Sequence, residues 1–314
     1  MLETKQTRQG YVDALIELAA EIPEMVVLDS DVAKATKTCD FEKVYPSRYF
    51  NCGVQEGNMI SAAAGMANEG FLPFATTFAA FAAFRAGDMV RNSVAYPRTN
   101  LKIGATHGGI STGGDGASHQ CNEDIAVMRS LPNMTVLVPG DYEESKQATR
   151  AAAFYQGPVY LRFGRDSYPV VPEIHGEFII GRAKELMGGR DLTIITTGIM
   201  VSEGLAAARV LEARGVSVRV LHMPTVKPLD EEAVIRAARE TRGFVTAEEH
   251  SVLGGLGEAV AAVVAGSHPK PVRRVGVLDV FGESGKAAEL LDKYHLRAVD
   301  IIREAEIVLA WPTI

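Results

Sequence analysis

Three stretches in the first half of the chain carry side chains whose types and spacing could do chemistry. In Phe50-Asn-Cys-Gly-Val-Gln-Glu56-Gly-Asn-Met59 a carboxylate stands at the entrance of a small-residue, apolar segment of helical period. A lone acid at that place is an acid favoured at a surface helix start by the helix dipole, but this one does not stand alone. Downstream, Phe78-Ala-Ala-Phe81-Ala-Ala-Phe84 spaces three rings three residues apart, which predicts one shared helical face. A core stripe accounts for that pattern, and so does an aromatic wall, since alanine in every gap leaves room for something flat to stack. The third stretch is Thr106-His107-Gly-Gly-Ile-Ser111-Thr112-Gly-Gly-Asp115-Gly-Ala-Ser118-His119-Gln120. Imidazoles and a carboxylate among hydroxyls suit a polyol that must be hydrogen-bonded while protons move near neutrality; a flexible surface loop is the alternative. A metal centre is disfavoured, because the two histidines are separated by many flexible glycines and lack compact ligand spacing.

Such side chains need a frame, and the hydrophobic periodicity supplies one. The first part reads as helix 8–20, strand 25–28 ending in Asp29-Ser-Asp31, helix 57–68, strand 71–74, helix 79–92 and strand 101–105. After the Gly-rich loop come helix 122–129, strand 135–138, helix 142–154 and strand 159–163. That alternation predicts a mostly parallel sheet with helices on both faces. Pro169-Val-Val-Pro172 then breaks the rhythm. A second unit follows, with strands over 192–197, 217–223, 243–247 and 274–278 and helices over 201–214, 231–240, 256–265, 287–294 and 300–308. The expected architecture is α/β, in two doubly wound domains, 1–170 and a smaller 191–314, joined by a linker over 171–190.

Composition narrows the classes of function. A net charge of −7 gives no electrostatic footprint for nucleic acid or an anionic membrane, so any anionic ligand must be held locally. No uncharged apolar run approaches the roughly 18 residues of a membrane span, and Met1–Gly10 has no signal-type apolar core. Cys39, Cys52 and Cys121 are an odd set without metal spacing, which fits a reducing cytoplasm. Two glycine motifs are decoys. Gly282-Glu-Ser-Gly-Lys286 lacks the first glycine and the hydroxyl of a phosphate loop, and Gly254-Gly-Leu-Gly257 lacks the last glycine of a dinucleotide fingerprint, so close helix-to-sheet packing explains it better.

Taken as a series, Gly53-Val-Gln-Glu56, Phe71-Leu-Pro-Phe-Ala-Thr-Thr-Phe78, Thr106-His107, Gly114-Asp115-Gly-Ala-Ser-His119-Gln120 and Ser130-Leu-Pro-Asn133 resemble the pyrimidine-binding domain of transketolases in order and interval. Gly282–Lys286 resembles a motif of that family's C-terminal domain, so the resemblance spans essentially the whole chain. It implies thiamine diphosphate as cofactor. Glu56 falls where a glutamate hydrogen-bonds the pyrimidine ring nitrogen, Phe81 where a ring stacks on the pyrimidine, and Phe78 and Phe84 where the pocket has its walls. His107 and His119 correspond to substrate-facing, proton-relaying histidines, and Asp115 to the residue that reads a sugar hydroxyl. Asp31 resembles an aspartate near the thiazolium, although a plain helix cap fits its spacing equally. Arg8 and Arg165 match arginines that clamp a substrate phosphate. On spacing alone, Arg8 is a solvated residue at a helix start.

One feature of the resembled family is missing. The Gly-Asp-Gly motif that holds magnesium and the diphosphate is followed at some distance by asparagine, and Asn133, the last asparagine here, lies too close to Gly114-Asp115-Gly116. The resemblance therefore implies a C-terminal transketolase subunit that works with a separate N-terminal subunit carrying the diphosphate and Mg2+ site. Homodimerisation through the pyrimidine-binding and C-terminal domains would make the assembly a heterotetramer. The implied reaction moves a two-carbon ketol unit from a phosphorylated ketose to an aldose. The alternatives are the β subunit of a 2-oxo acid dehydrogenase, a 1-deoxyxylulose-5-phosphate synthase-like subunit, and a non-catalytic regulatory subunit. His107 and the Gly-Asp-Gly-x-x-His119 string favour a sugar over an oxo acid, because a polyol needs more hydrogen-bonding partners.

Overall fold

The run Met25–Asp29 is buried at every position, and a strand apolar on both faces must be covered on both. The computed structural model describes residues 3–312. Its strands in chain order are β1 (Thr4–Gln6), β2 (Met25–Asp29), β3 (Tyr49–Asn51), β4 (Leu72–Phe78) and β5 (Lys102–Thr106). They continue with β6 (Thr135–Leu137), β7 (Val159–Arg162), β8 (Ser167–Pro169), β9 (Lys184–Met187) and β10 (Leu192–Thr196). The last are β11 (Val218–His222), β12 (Thr225–Lys227), β13 (Phe244–Ser251) and β14 (Val272–Val277). One sheet runs β12-β6-β7-β5-β4-β2-β3, a second β14-β13-β10-β11-β9, and β1 pairs with β8. Both large sheets are parallel except at one edge, where β12 and β9 run antiparallel to their neighbours.

Helices cover both faces of the first sheet. Thr7–Glu21 and Tyr142–Phe154 lie on one, where Tyr11, Leu15 and Leu18 pack with Phe74, Ala148 and Phe163. Glu56–Asn68 and Asp124–Ser130 cover the other, where Met59, Ile60 and Ile125 pack over Val26, Ala75 and Ile103. The chain is thus an α/β protein of two doubly wound units. No helix among the described residues is long and apolar enough to cross a membrane.

Three expectations need correction. Strand β4 does not stop at residue 74 but runs on to Phe78, because Thr76, Thr77 and Phe78 are all strand formers. Phe78 therefore belongs to a strand, and the three rings do not share one helical face. The helix expected over 79–92 is π-helical over Phe81–Arg85 and again over Val90–Ala95, with the wide-turn bonds Ala86 N–H to Phe81 O (3.0 Å) and Tyr96 N–H to Arg91 O (2.9 Å). The segment 171–190 is not a plain linker, since β9 lies inside it and forms the edge of the second sheet. Its Lys-Glu-Leu-Met is short and only half-buried, so it carries little periodic signal.

Candidate active site

Phe78 and Thr106 end two adjacent parallel strands in register, so the chain leaves both at the carboxyl edge of the sheet, where open α/β sheets take ligands. His107 follows with φ 61, a left-handed backbone that few non-glycine residues adopt. Thr112 Oγ1 holds it there by donating to the His107 carbonyl (2.8 Å), and Gly108 N–H donates to Phe163 O (3.0 Å). The His107 ring, 1% exposed, stacks on Phe78 at 3.8 Å between centroids. Phe78 in turn stacks on Phe81 (5.3 Å), and His119 meets both rings edge-on at 5.9 and 5.5 Å.

The hydrogen bonds assign the tautomer of His107. Arg8 Nη1 approaches Nε2 at 3.4 Å and can only donate, so Nε2 accepts and the proton sits on Nδ1, which meets Thr106 Oγ1 at 2.8 Å. Burial, followed by the nearby Arg8 and Arg165 charges, pushes the pKa of His107 down to about 3, so the ring is neutral at working pH. His119 engages its Nδ1 with Ser118 Oγ (2.9 Å).

Arg8 is not the solvated residue that its spacing suggests. It is 8% exposed, with Nη1 donating to Ala35 O (2.5 Å) and Nε to Gln6 Oε1 (3.3 Å). Burial and the like charge of Arg165 lower its pKa. Arg165 donates to Thr112 O (2.9 Å) and lies 3.6 Å from Asp115 on the rim. Two guanidiniums converging beside one partly exposed carboxylate make a local excess of positive charge in an otherwise acidic chain.

Glu56 is the first residue of its helix and is 4% exposed. Its Oε1 accepts from Arg85 Nη1 at 3.2 Å, and the same guanidinium lies 3.8 Å over the Phe81 ring. A planar, nitrogen-bearing group is therefore already held between this carboxylate and this ring, the two contacts that an aminopyrimidine needs. The carboxylate and the ring fit such a heterocycle.

Two sequence candidates fall outside the cluster. Phe84 is 58% exposed and takes no part in the aromatic stack. Asp31 is exposed, has φ 66, and accepts from Asn51 Nδ2 (2.9 Å). It does not cap the short helix that follows, whose N-cap Val32 has no side-chain cap bond; the neighbouring Asp29 accepts from Val32 N–H (2.7 Å) and from the Thr38 and Thr36 hydroxyls at 2.8 and 3.1 Å. Burial raises the pKa of Asp29 against those bonds.

Sequence reasoning also missed Arg85, Arg162, Asp124 and Glu249. Arg162 lies under the Gly-rich loop with Nε 2.9 Å from Asp124 Oδ2, and Nη2 donates to Cys121 O (3.1 Å) and Glu249 O (2.9 Å). Charged residues inside otherwise apolar strands, as in Val159–Arg162 and Phe244–Ser251, were the available signal. Among the described residues no group of three or more His, Cys, Asp or Glu is placed to hold a metal ion.

Residues 3–171 match the family described as "Transketolase, pyrimidine binding domain", and residues 181–301 match "Transketolase, C-terminal domain". The "Putative transketolase C-terminal section" of Methanocaldococcus jannaschii is 48% identical over 303 residues, covering 95% of each chain. The "6-deoxy-6-sulfo-D-fructose transketolase subunit SqwH" of Clostridium sp. is 42% identical over 307 residues, 98% of this chain and 95% of that one. A solved structure described as "Split gene transketolase, inactive beta4 tetramer" superposes with a TM-score of 0.90 at 48% identity, covering 98% of this chain and 99% of that one.

Proposed function

Because the chain belongs to the transketolase family, we propose that it is the C-terminal subunit of a two-chain transketolase, moving a two-carbon ketol unit from a ketose to an aldose. The observation that carries this reading is the buried Glu56 at a helix start, one planar group away from the face of Phe81. Thiamine diphosphate, when bound, supplies the electron sink for breaking a carbon–carbon bond next to a carbonyl. Glu56 would hold the pyrimidine ring nitrogen and Phe81 its face, each taking over a contact now made by Arg85. Phe78 backs Phe81 and keeps water from that side of the ring.

The histidines handle the sugar. Neutral His107 can accept a hydrogen bond from the sugar at Nε2 in place of the one from Arg8, while Nδ1–H stays committed to Thr106. His119, half-buried at the edge of the same stack, presents the opposite side to a hydroxyl or carbonyl oxygen. Asp115 would accept from a sugar hydroxyl, and Arg8 with Arg165 would hold a terminal anion, phosphate in the first instance. The name of the Clostridium relative refers to a sulfonated sugar, an anion of the same reach and charge sign.

The diphosphate and Mg2+ belong, in this reading, to a separate N-terminal subunit, with the active site between the chains and pairs of this chain joining them into a heterotetramer. The inactive beta4 tetramer of a 48% identical chain supports that division. The exposed Phe84 would then be covered by the partner, and Asp31 would approach the thiazolium only in the assembled enzyme.

The test is Glu56→Ala in the complex with the N-terminal subunit. Ketol transfer should fall by about three orders of magnitude, with the melting temperature of the variant unchanged. Near-normal turnover of this variant would falsify the mechanism.

A further inference from the structure

We propose that Glu249, which the second α/β unit contributes, is a positioning residue that sets the backbone of the loop bearing His107 and His119. The proposal rests on the reading of those histidines as substrate-facing, and it gives the second unit a task in catalysis beyond assembly.

Glu249 lies on β13 and is 4% exposed. Its Oε1 accepts from Ser111 N–H at 2.6 Å. The carboxylate also presses on Gly109: a Cβ there would sit 2.3 to 2.6 Å from its three atoms, and Gly109 has φ 86. Gly109 N–H donates to Cys121 O (2.7 Å), closing the base of the loop, and Arg162 Nη2 ties that same carbonyl to the Glu249 backbone. Ser111 Oγ is fixed in turn by Tyr168 Oη at 2.6 Å. Thr112, the next residue, holds the His107 carbonyl and so keeps His107 in its left-handed conformation. The line of force runs from Glu249 through the Ser111-Thr112 peptide to His107. The Glu249 carboxylate faces loop backbone and Arg162, and it reaches neither Glu56 nor Phe81.

A second contact from the same unit points the same way. Gln120 Nε2 donates to Glu283 O (2.8 Å) and to the loop carbonyls of Ile110 and Gly113, at 3.1 and 3.2 Å. Both ends of the histidine loop are therefore gripped by residues from outside the unit that carries it.

Three variants of the assembled enzyme separate positioning from plain stability. Glu249→Gln keeps an acceptor oxygen in place, Glu249→Asp keeps the charge but withdraws the acceptor by one methylene, and Glu249→Ala removes both. Glu249→Gln should stay within about threefold of the wild type in kcat/KM for the ketose, while Asp and Ala should each lose roughly tenfold or more. Affinity for thiamine diphosphate should hold within about twofold throughout, since Glu56 and Phe81 stand on segments that Glu249 does not touch. Where Glu249→Ala does not fold, the Gln and Asp pair decides. The proposal is overturned by an Asp variant as active as the wild type, by a Gln variant as impaired as Asp, or by cofactor affinity that falls in step with activity. Glu56→Ala in the same assay keeps the two ideas apart: if it retains turnover the function itself is misread, whereas its loss beside a fully active Asp variant removes only the role of Glu249.

Discussion

The ring of His107 is buried between Phe78 and two arginines, and that surrounding fixes the sign of its response to acid. Its folded pKa, about 3, lies below the ordinary 6.5, so between those values the unfolded chain binds a proton that the native chain refuses. Stability from this group is complete above the unfolded value and drains away as pH falls through the window, by up to about 1.4 kcal/mol per pH unit. Thermal midpoints of the wild type and of His107→Gln, measured from pH 7 to 4, should therefore converge or cross as acid is added, and parallel curves would sink the assignment. At this scale the roles of Glu56, Phe81, His107 and His119 came from the family resemblance, because spacing alone left surface, core and loop readings open; the structure gathers Phe81, His107 and His119 around Phe78. Arg85 and Glu249 could not be named at all, because an arginine after an alanine run and a glutamate in a strand look like surface charge until the fold shows what each faces.

A loop between elements needs glycine only where the backbone or its neighbours demand it, and the histidine loop holds both kinds of position. Gly109 is left-handed and faces the Glu249 carboxylate, whereas a Cβ on Gly114 would meet open space. Gly109→Ala is expected to cost about 3 kcal/mol, combining backbone strain with overlap, and Gly114→Ala less than about 0.5 kcal/mol. Urea unfolding of both variants checks this, and equal effects would mean that the loop is not held from below. The sequence announced the loop but not which glycines matter, since that depends on a strand more than a hundred residues away. The regular elements were far more legible: buried parallel strands and amphipathic helices such as Tyr142–Phe154 and Glu231–Glu240 carry their period openly. What escaped was β1, β3, β8, β9 and β12, strands of three or four residues, and the π-helical turns at Phe81 and Val90, which share the apolar spacing of an ordinary helix.

Across the whole molecule, the division at residues 171–190 that the sequence suggests is not where the energy divides. Met134, Val136 and Val138 of the first unit share one apolar cluster with Ile195, Leu221, Met223, Phe244 and Leu256 of the second, and β12 leaves the second unit to extend the first sheet. At the same seam Glu144 is wholly buried, its Oε2 accepting from His222 Nε2 (2.7 Å) and Gly140 N–H (2.7 Å) while its Oε1 forms an ion pair with Lys184 Nζ at 2.9 Å. Burial works to raise the pKa of Glu144, but His222, Lys184 and the Gly140 N–H outweigh it and hold the carboxyl below its usual range. The charge is thus kept in place by groups from both units. Lys184→Met should destabilise the chain by about 2–3 kcal/mol by leaving that charge short of a partner, and Glu144→Gln added to it should restore at least about half. Calorimetry of the wild type should show one transition, because neither unit can expose its side of the shared core without unfolding the other. Two resolved transitions, with the Lys184→Met penalty confined to one of them, would mean that the units are merely tethered. The grip of Glu249 on the histidine loop would then have no rigid platform to act from.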